Sequence, residues 1–145
     1  MNIPFSTFDR MHGEMKDEIR GAFDRVFESG WFIQGKECEA FEREFAEFCG
    51  AKYCVGTGNG LESLSLTLRA MGVKVGDEVI VPSHTFIATA LAVKYAGATP
   101  VFVEVHEDTC LINEDLIEEK ITEKTKAIVV VQLYGQMAQM KKILE

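Results

Sequence analysis

Residues 53 to 71 hold the stretch best suited to binding an anion. Gly56-Thr57-Gly58-Asn59-Gly60 lies between the apolar run Tyr53-Cys54-Val55 and a segment in which Leu61, Leu64, Leu68 and Met71 fall at helical spacing. The run predicts a short buried strand, and the spacing predicts a helix ending near Met71-Gly72. Glycine in such a turn allows positive φ and a close approach of a ligand to the main chain. The first N–H groups of the helix have no partner within it and carry partial positive charge, so strand, turn and helix start together could seat a phosphate. A glycine-rich connection without a ligand has the same local pattern.

Other chemistries fit less well. Gly56-x-Gly58 begins a dinucleotide fingerprint, but the third small residue is replaced by Leu61, and the next strand ends Val81-Pro82-Ser83 with no carboxylate. No Gly-Lys-Ser/Thr follows the glycines, which excludes a P-loop. His12, His84 and His106 are scattered and have no helix-spaced partner, so no metal site is predicted. His84, in the Pro-Ser-His-Thr-Phe turn, reads as a surface or loop-packing histidine near a strand end.

The elements that position this stretch follow from periodicity. Residues 1 to 13 read as an extended lead-in around Pro4. Glu14 to Ser29 carries Met15, Ile19, Ala22, Phe23, Val26 and Phe27 on one stripe, an amphipathic helix closed by Gly30. Trp31-Phe32-Ile33-Gln34-Gly35 is an aromatic connection: a pocket wall, a subunit contact or, for Trp31 above all, a plug beneath a loop. Lys36 to Phe48 is a second helix with Cys38, Phe41, Phe45 and Phe48 at core spacing and Gly50 after it. Beyond the glycine turn come a strand at Val79–Val81 ended by Pro82, a helix over Phe86 to Tyr95 capped by Ser83 or Thr85, and a strand at 100–105. A polar loop at 106–109, a helix at 114–121 capped by Asn113, a fourth strand at 126–133, a turn at Tyr134-Gly135-Gln136 and a last helix complete the chain. Strands alternating with helices from residue 53 predict an α/β layer with a mostly parallel sheet, whose ligands sit beyond the carboxyl ends of its strands.

Composition bounds the function. The chain has 145 residues, the length of one domain, and its formal net charge of −8 disfavours non-specific binding to nucleic acid or anionic membranes. No run reaches the length of a membrane span, and Met-Asn-Ile-Pro-Phe-Ser lacks a signal-peptide layout. Cys38, Cys49, Cys54 and Cys110 show no metal spacing and read as buried, reduced cysteines of a cytoplasmic protein.

Six stretches carry a family resemblance: 29–35 (Ser-Gly-Trp-Phe-Ile-Gln-Gly), 56–64 (Gly-Thr-Gly-Asn-Gly-Leu-Glu-Ser-Leu), 76–89 (Gly-Asp-Glu-Val-Ile-Val-Pro-Ser-His-Thr-Phe-Ile-Ala-Thr), 96–105 (Ala-Gly-Ala-Thr-Pro-Val-Phe-Val-Glu-Val), 125–128 (Thr-Lys-Ala-Ile) and 133–136 (Leu-Tyr-Gly-Gln). In this order and spacing the chain resembles the N-terminal part of the pyridoxal-phosphate-dependent sugar aminotransferases of the DegT/DnrJ/EryC1/StrS group. The resemblance implies the large domain of an aspartate-aminotransferase-like (fold type I) enzyme, a mostly parallel sheet with helices on both faces. It makes residues 1–50 a helical lead-in packing on that domain and residues 51–145 part of the cofactor-binding domain, with the small C-terminal domain absent.

By position, the resemblance gives Gly60 and Leu61 backbone N–H contacts to the cofactor phosphate and makes Phe86 the ring stacked on the pyridine. Phe32 and Gln34 would lie near the substrate or the partner subunit, and Tyr134 would face the substrate. Leu61 stands where relatives often have a hydroxyl residue, and Gln132 where many have histidine, so Gln132 receives no role. The implied reaction moves an amino group, glutamate being the usual donor, onto a nucleotide-linked keto sugar in a homodimer with shared active sites. The Schiff-base lysine and the carboxylate facing the pyridine nitrogen fall beyond residue 145 in the family pattern, so no catalytic residue is expected in this chain. A dehydratase-like relative using the same cofactor, and a non-catalytic module binding a phosphorylated ligand or a partner, are the alternatives.

Overall fold

The computed structural model describes residues 3–145, and these divide into two compact units, the first reaching Gly56 and the second running from Thr57 to Glu145.

The first unit is a pair of helices, α1 (Asp9–Ser29) and α2 (Lys36–Phe48). Helix α1 starts five residues before the periodic stripe does. The Thr7 hydroxyl accepts the N–H of Asp9 at 3.2 Å, and Asp9 supplies the acidic first turn, so the helix begins as soon as Pro4 is cleared. The extended lead-in is therefore shorter than predicted, and its first two residues lie outside the described ones. Gly30 ends α1 in the left-handed conformation, φ 65°, its N–H returning to the Phe27 carbonyl. Arg25 joins the two helices by gripping Glu37 with both ends of its fork, Nε to Oε1 at 2.7 Å and Nη2 to Oε2 at 3.1 Å. That hydrogen bond holds the Glu37 carboxyl below its ordinary value. Ala46 is the only described residue of this unit that is buried. The expected core positions Phe23, Phe27, Phe41, Phe45 and Phe48 are all exposed, as are Cys38 and Cys49, while Cys54 is half-buried. Helical periodicity reported an apolar face correctly, but two helices alone cannot cover it.

The second unit is a parallel sheet between two apolar layers. Its strands are β1 (Glu78–Pro82), β2 (Thr99–Val103) and β3 (Thr125–Ile128), in the order β2-β1-β3. Glu78 to Pro82 pair with Thr99 to Val103, and Ile80 pairs with Ile128. The central strand alternates as a strand buried on both faces must. Val79 and Val81 join Leu68, Val73, Val93, Ala96 and Ala98, the layer built from helices α3 (Gly60–Ala70) and α4 (Ala88–Tyr95). Ile80 points the other way, to Val103, Leu111, Ile112, Ile117 and Ala138, with Met140 and Ile143 of the final helix α5 (Met140–Leu144) packed against them. Val79, Ile80, Val81 and Val103 have no exposed surface.

Five expectations fail for local reasons. Tyr53-Cys54-Val55 is not a strand; among the described residues no strand pairs with it, and Tyr53 and Val55 are exposed. A strand exists through its ladder, and an apolar run without a neighbour has none. The 126–133 strand stops at Ile128 because its neighbour β1 ends at Pro82, which has no N–H to give. The 114–121 helix is two 3₁₀ turns, Glu114–Leu116 and Glu118–Lys120; Asn113 caps the first, accepting the Asp115 N–H at 3.1 Å. Neither Ser83 nor Thr85 caps α4, which starts after Ile87. Thr85 instead meets Thr89, hydroxyl to hydroxyl at 3.1 Å, and Ser83 donates to Glu104 Oε2 at 2.8 Å. Cys110, expected to be buried, is half-buried at the tip of a tight turn with φ 59°.

Candidate functional site

The start of α3 is assembled by three short side chains around the glycine turn. Asn59, with extended backbone (φ −168°), is the N-cap and accepts the Glu62 N–H on Oδ1 at 3.0 Å. Its carbonyl takes the Ser63 N–H at 3.0 Å, as the first helical hydrogen bond. Glu62 turns its carboxylate back onto the Gly58 N–H at 3.0 Å, and the Thr57 and Ser63 hydroxyls meet at 2.5 Å. Asn-x-x-Glu at 59–62 is a capping-box pattern that the sequence reading passed over, although it is legible there.

This accounting leaves two donors free. Among the described residues, the N–H groups of Gly60 and Leu61 have no acceptor, whereas those of Glu62 and Ser63 do. They are the N–H groups that the family resemblance assigns to a phosphate. They open the 11-residue helix α3, at the end where its dipole favours negative charge. Glycine serves here differently from the expectation: none of Gly56, Gly58 and Gly60 has positive φ. At Gly58 a β-carbon would sit 2.6 Å from Glu62 Oε2, so glycine makes room for the carboxylate on its N–H; at Gly60 a β-carbon would meet nothing within 4 Å. The turn and helix start therefore fit a phosphate, with the Glu62 carboxylate as a like charge close by on the Gly58 N–H.

Phe86 and Tyr134 follow the carboxyl ends of the paired strands β1 and β3. They lie at one end of the sheet, the end at which ligands bind in such folds. Both are exposed, 77% and 76%, so each presents a free ring face. Tyr134 has left-handed backbone, φ 57° and ψ 24°, and is followed by Gly135 at φ 78°. The Ser83–Glu104 hydrogen bond lies at the same end, after β1 and β2, and no sequence pattern signalled it. His84 is exposed, as read.

Phe32 and Gln34 belong to the first unit. There Trp31 donates from Nε1 to the Ile33 carbonyl at 2.6 Å, so Trp31 is an exposed brace for its own loop and not a plug. Phe32 is 67% exposed and Gln34 has positive φ, 49°. Phe32 lines a cleft of about 500 Å³ with Arg25, Val26, Trp31, Lys36 and Glu37. The described residues contain no group of three or more His, Cys, Asp or Glu side chains that could hold a metal ion, and no helix long and apolar enough to cross a membrane.

Comparison with known proteins supplies the family. The sequence profile of the DegT/DnrJ/EryC1/StrS aminotransferase family matches residues 13–145. The chain is 52% identical, over 97% of its length, to a dTDP-3-amino-3,6-dideoxy-alpha-D-galactopyranose transaminase of Aneurinibacillus thermoaerophilus. It is 45% identical over 99% to a dTDP-3-amino-3,4,6-trideoxy-alpha-D-glucose transaminase of Streptomyces venezuelae. It spans 39% and 38% of those two relatives. Among solved structures, DesV of S. venezuelae superposes with a TM-score of 0.93 at 44% identity, covering 98% of this chain and 38% of that one. The structure of ntda from Bacillus subtilis, crystallised with bound cofactor PMP, superposes at 0.92 with 34% identity, covering 98% of this chain and 33% of that one. The sheet order, the glycine turn and this match over nearly the whole length agree: the chain belongs to the DegT/DnrJ/EryC1/StrS aminotransferase family.

Proposed function

We propose that the chain is the N-terminal part of a pyridoxal-phosphate-dependent aminotransferase whose substrate is a nucleotide-linked keto sugar, with glutamate as amino donor. The observation that carries the reading is the pair of free N–H groups at Gly60 and Leu61. Asn59 occupies the next two donors, so the helix start offers an anion two parallel hydrogen bonds and the positive end of the α3 dipole. Gly60 leaves room beside the helix start, because even a β-carbon there would meet nothing within 4 Å. Phe86 supports the flat ring through its exposed face, and Tyr134 contacts the sugar from the same end of the sheet. Phe32 and Gln34 reach the substrate or a partner subunit from the aromatic connection. Bound there, pyridoxal phosphate supplies the electron sink through which an amino group changes carrier. In the family pattern the lysine that would hold it and the carboxylate that would face its ring nitrogen fall beyond residue 145. The whole reaction, the homodimer and a cytoplasmic location belong to the reading of the longer relatives, of which this chain spans about 38%.

The chain's own share is binding, and that is what the test measures. Titration with pyridoxal phosphate and with pyridoxal, followed by absorbance, should show clear preference for the phosphate ester. Phe86→Ala should weaken phosphate-ester binding by on the order of 1 kcal/mol, the worth of an aromatic stack, with little loss of stability because the ring is exposed. Equal affinity for the two aldehydes, or an unchanged affinity in Phe86→Ala, would remove the site from this position.

A further inference from the structure

Gln132 received no role from sequence, since many relatives carry histidine at its position, yet its side chain is bonded at both ends. Oε1 accepts the Ala138 N–H at 2.5 Å and Nε2 faces Met140 Sδ at 3.4 Å. The amide thus closes the segment 133–137 into a loop at its base. Inside the loop the Gly135 N–H returns to the Gln132 carbonyl at 3.3 Å and the Gln136 N–H to the Leu133 carbonyl at 3.2 Å. On the outer side Gln136 Nε2 donates to the Thr109 carbonyl at 3.4 Å. Leu133 is half-buried in the sheet's second apolar layer and Ala138 is buried there, so both feet of the loop are anchored.

At its tip stands Tyr134, a bulky residue in left-handed backbone (φ 57°) with its ring exposed. A non-glycine residue adopts that region at a cost and stays there only where its surroundings fix it. A tyrosine kept where glycine would be relaxed implies that the ring is wanted in this direction. Among the bonds that hold the loop, the one that joins its two feet is Gln132 to Ala138.

We infer that Gln132 is a positioning residue: by closing the 133–137 loop on Ala138 it holds Tyr134 in left-handed backbone and presents its ring to the nucleotide-linked sugar at the carboxyl end of the sheet. The inference rests on the substrate reading given above. The acceptor oxygen is what matters, so an amide and a carboxylate should serve alike, and an apolar side chain of the same length should not.

The probe is thymidine-diphosphate glucose, its affinity for the chain and for every variant measured by titration calorimetry. Gln132→Met should bind the probe about two- to tenfold more weakly, the penalty of leaving one side chain to be ordered on binding. Gln132→Glu should restore the parent's affinity. In a Tyr134→Ala background, Gln132→Met should cause no additional loss, because the two residues act as one unit. Gln132 is exposed, so these variants should keep the parent's amide spectrum over Val79 to Val81. Parent-like binding by Gln132→Met, failure of Gln132→Glu to restore it, or a full further loss in the Tyr134→Ala background would each overturn the assignment. Absence of binding by the parent itself is a different pattern: it would sink the substrate reading and the inference with it.

Discussion

The two units of this chain hold the same kinds of residues and treat them in opposite ways. In residues 57–145 the apolar positions of a five-residue strand vanish from the surface, and Val79, Ile80 and Val81 are fully buried between two layers. In the first unit, helices with equally clear apolar stripes leave Phe23, Phe27, Phe41, Phe45 and Phe48 between 46% and 86% exposed. Periodicity says which face of an element is apolar. Burial needs a second surface, and only the sheet-centred unit supplies it.

The largest effect that would sharpen this contrast is in the core. Ile80→Ala removes a side chain with no exposed surface and should destabilise the second unit by about 2–5 kcal/mol in denaturant unfolding. Phe45→Ala, a larger deletion on the exposed face of α2, should cost about 0.5 kcal/mol or less. Similar losses from the two would break the comparison. Next in size is the cap of α3. Asn59→Ala leaves the Glu62 N–H without its partner and should cost roughly 1 kcal/mol of stability. Amide exchange at Glu62 as slow as in the parent would show that Asn59 does not cap the helix.

A smaller effect depends on pH. Glu114, with 10% of its side chain exposed, takes the His106 ring at 2.9 Å and lies 3.7 Å from Lys142, whose ammonium also bonds Asp115. The hydrogen bond from His106 is the main cause that holds the Glu114 carboxyl below its ordinary value. A carboxylate with a lowered folded pKa adds stability that is present above its unfolded value and is lost as pH falls through the folded one. The link between the 106–116 segment and α5 should therefore weaken on the acid side of the ordinary carboxylate range. Glu114→Gln should flatten the acid limb of a stability–pH curve, and an unchanged limb would assign the dependence to other carboxylates.

What was legible in the sequence follows the same division. The α3 helix, β1 between its turn and Pro82, the parallel character of the sheet and the left-handed Gly30 are readable because each depends on neighbours in sequence or on a self-contained pattern, whereas the strand order is not. Tyr53–Val55 was misread as a strand because a strand depends on a partner that local composition cannot report. Glu114–Lys120 broke into 3₁₀ turns although its residues suit a helix, since Leu111, Ile112 and Ile117 must all reach the same layer. At the site, Gly60 and Leu61 follow from the family resemblance. The agents that leave them free, Asn59 and Glu62, were visible as a capping pattern but went unread. The bond from Gln132 to Ala138 spans a loop whose shape no spacing rule gives.

The central claim is that the free N–H groups of Gly60 and Leu61 form the phosphate seat. Pyridoxamine phosphate, which has no aldehyde to attack surface lysines, tests it by amide NMR on the chain. The amide protons of Gly60 and Leu61 should move downfield more than any others and should saturate together, with pyridoxamine lacking the phosphate leaving them in place. Largest shifts elsewhere in the chain, or equal responses to the two amines, would contradict the account.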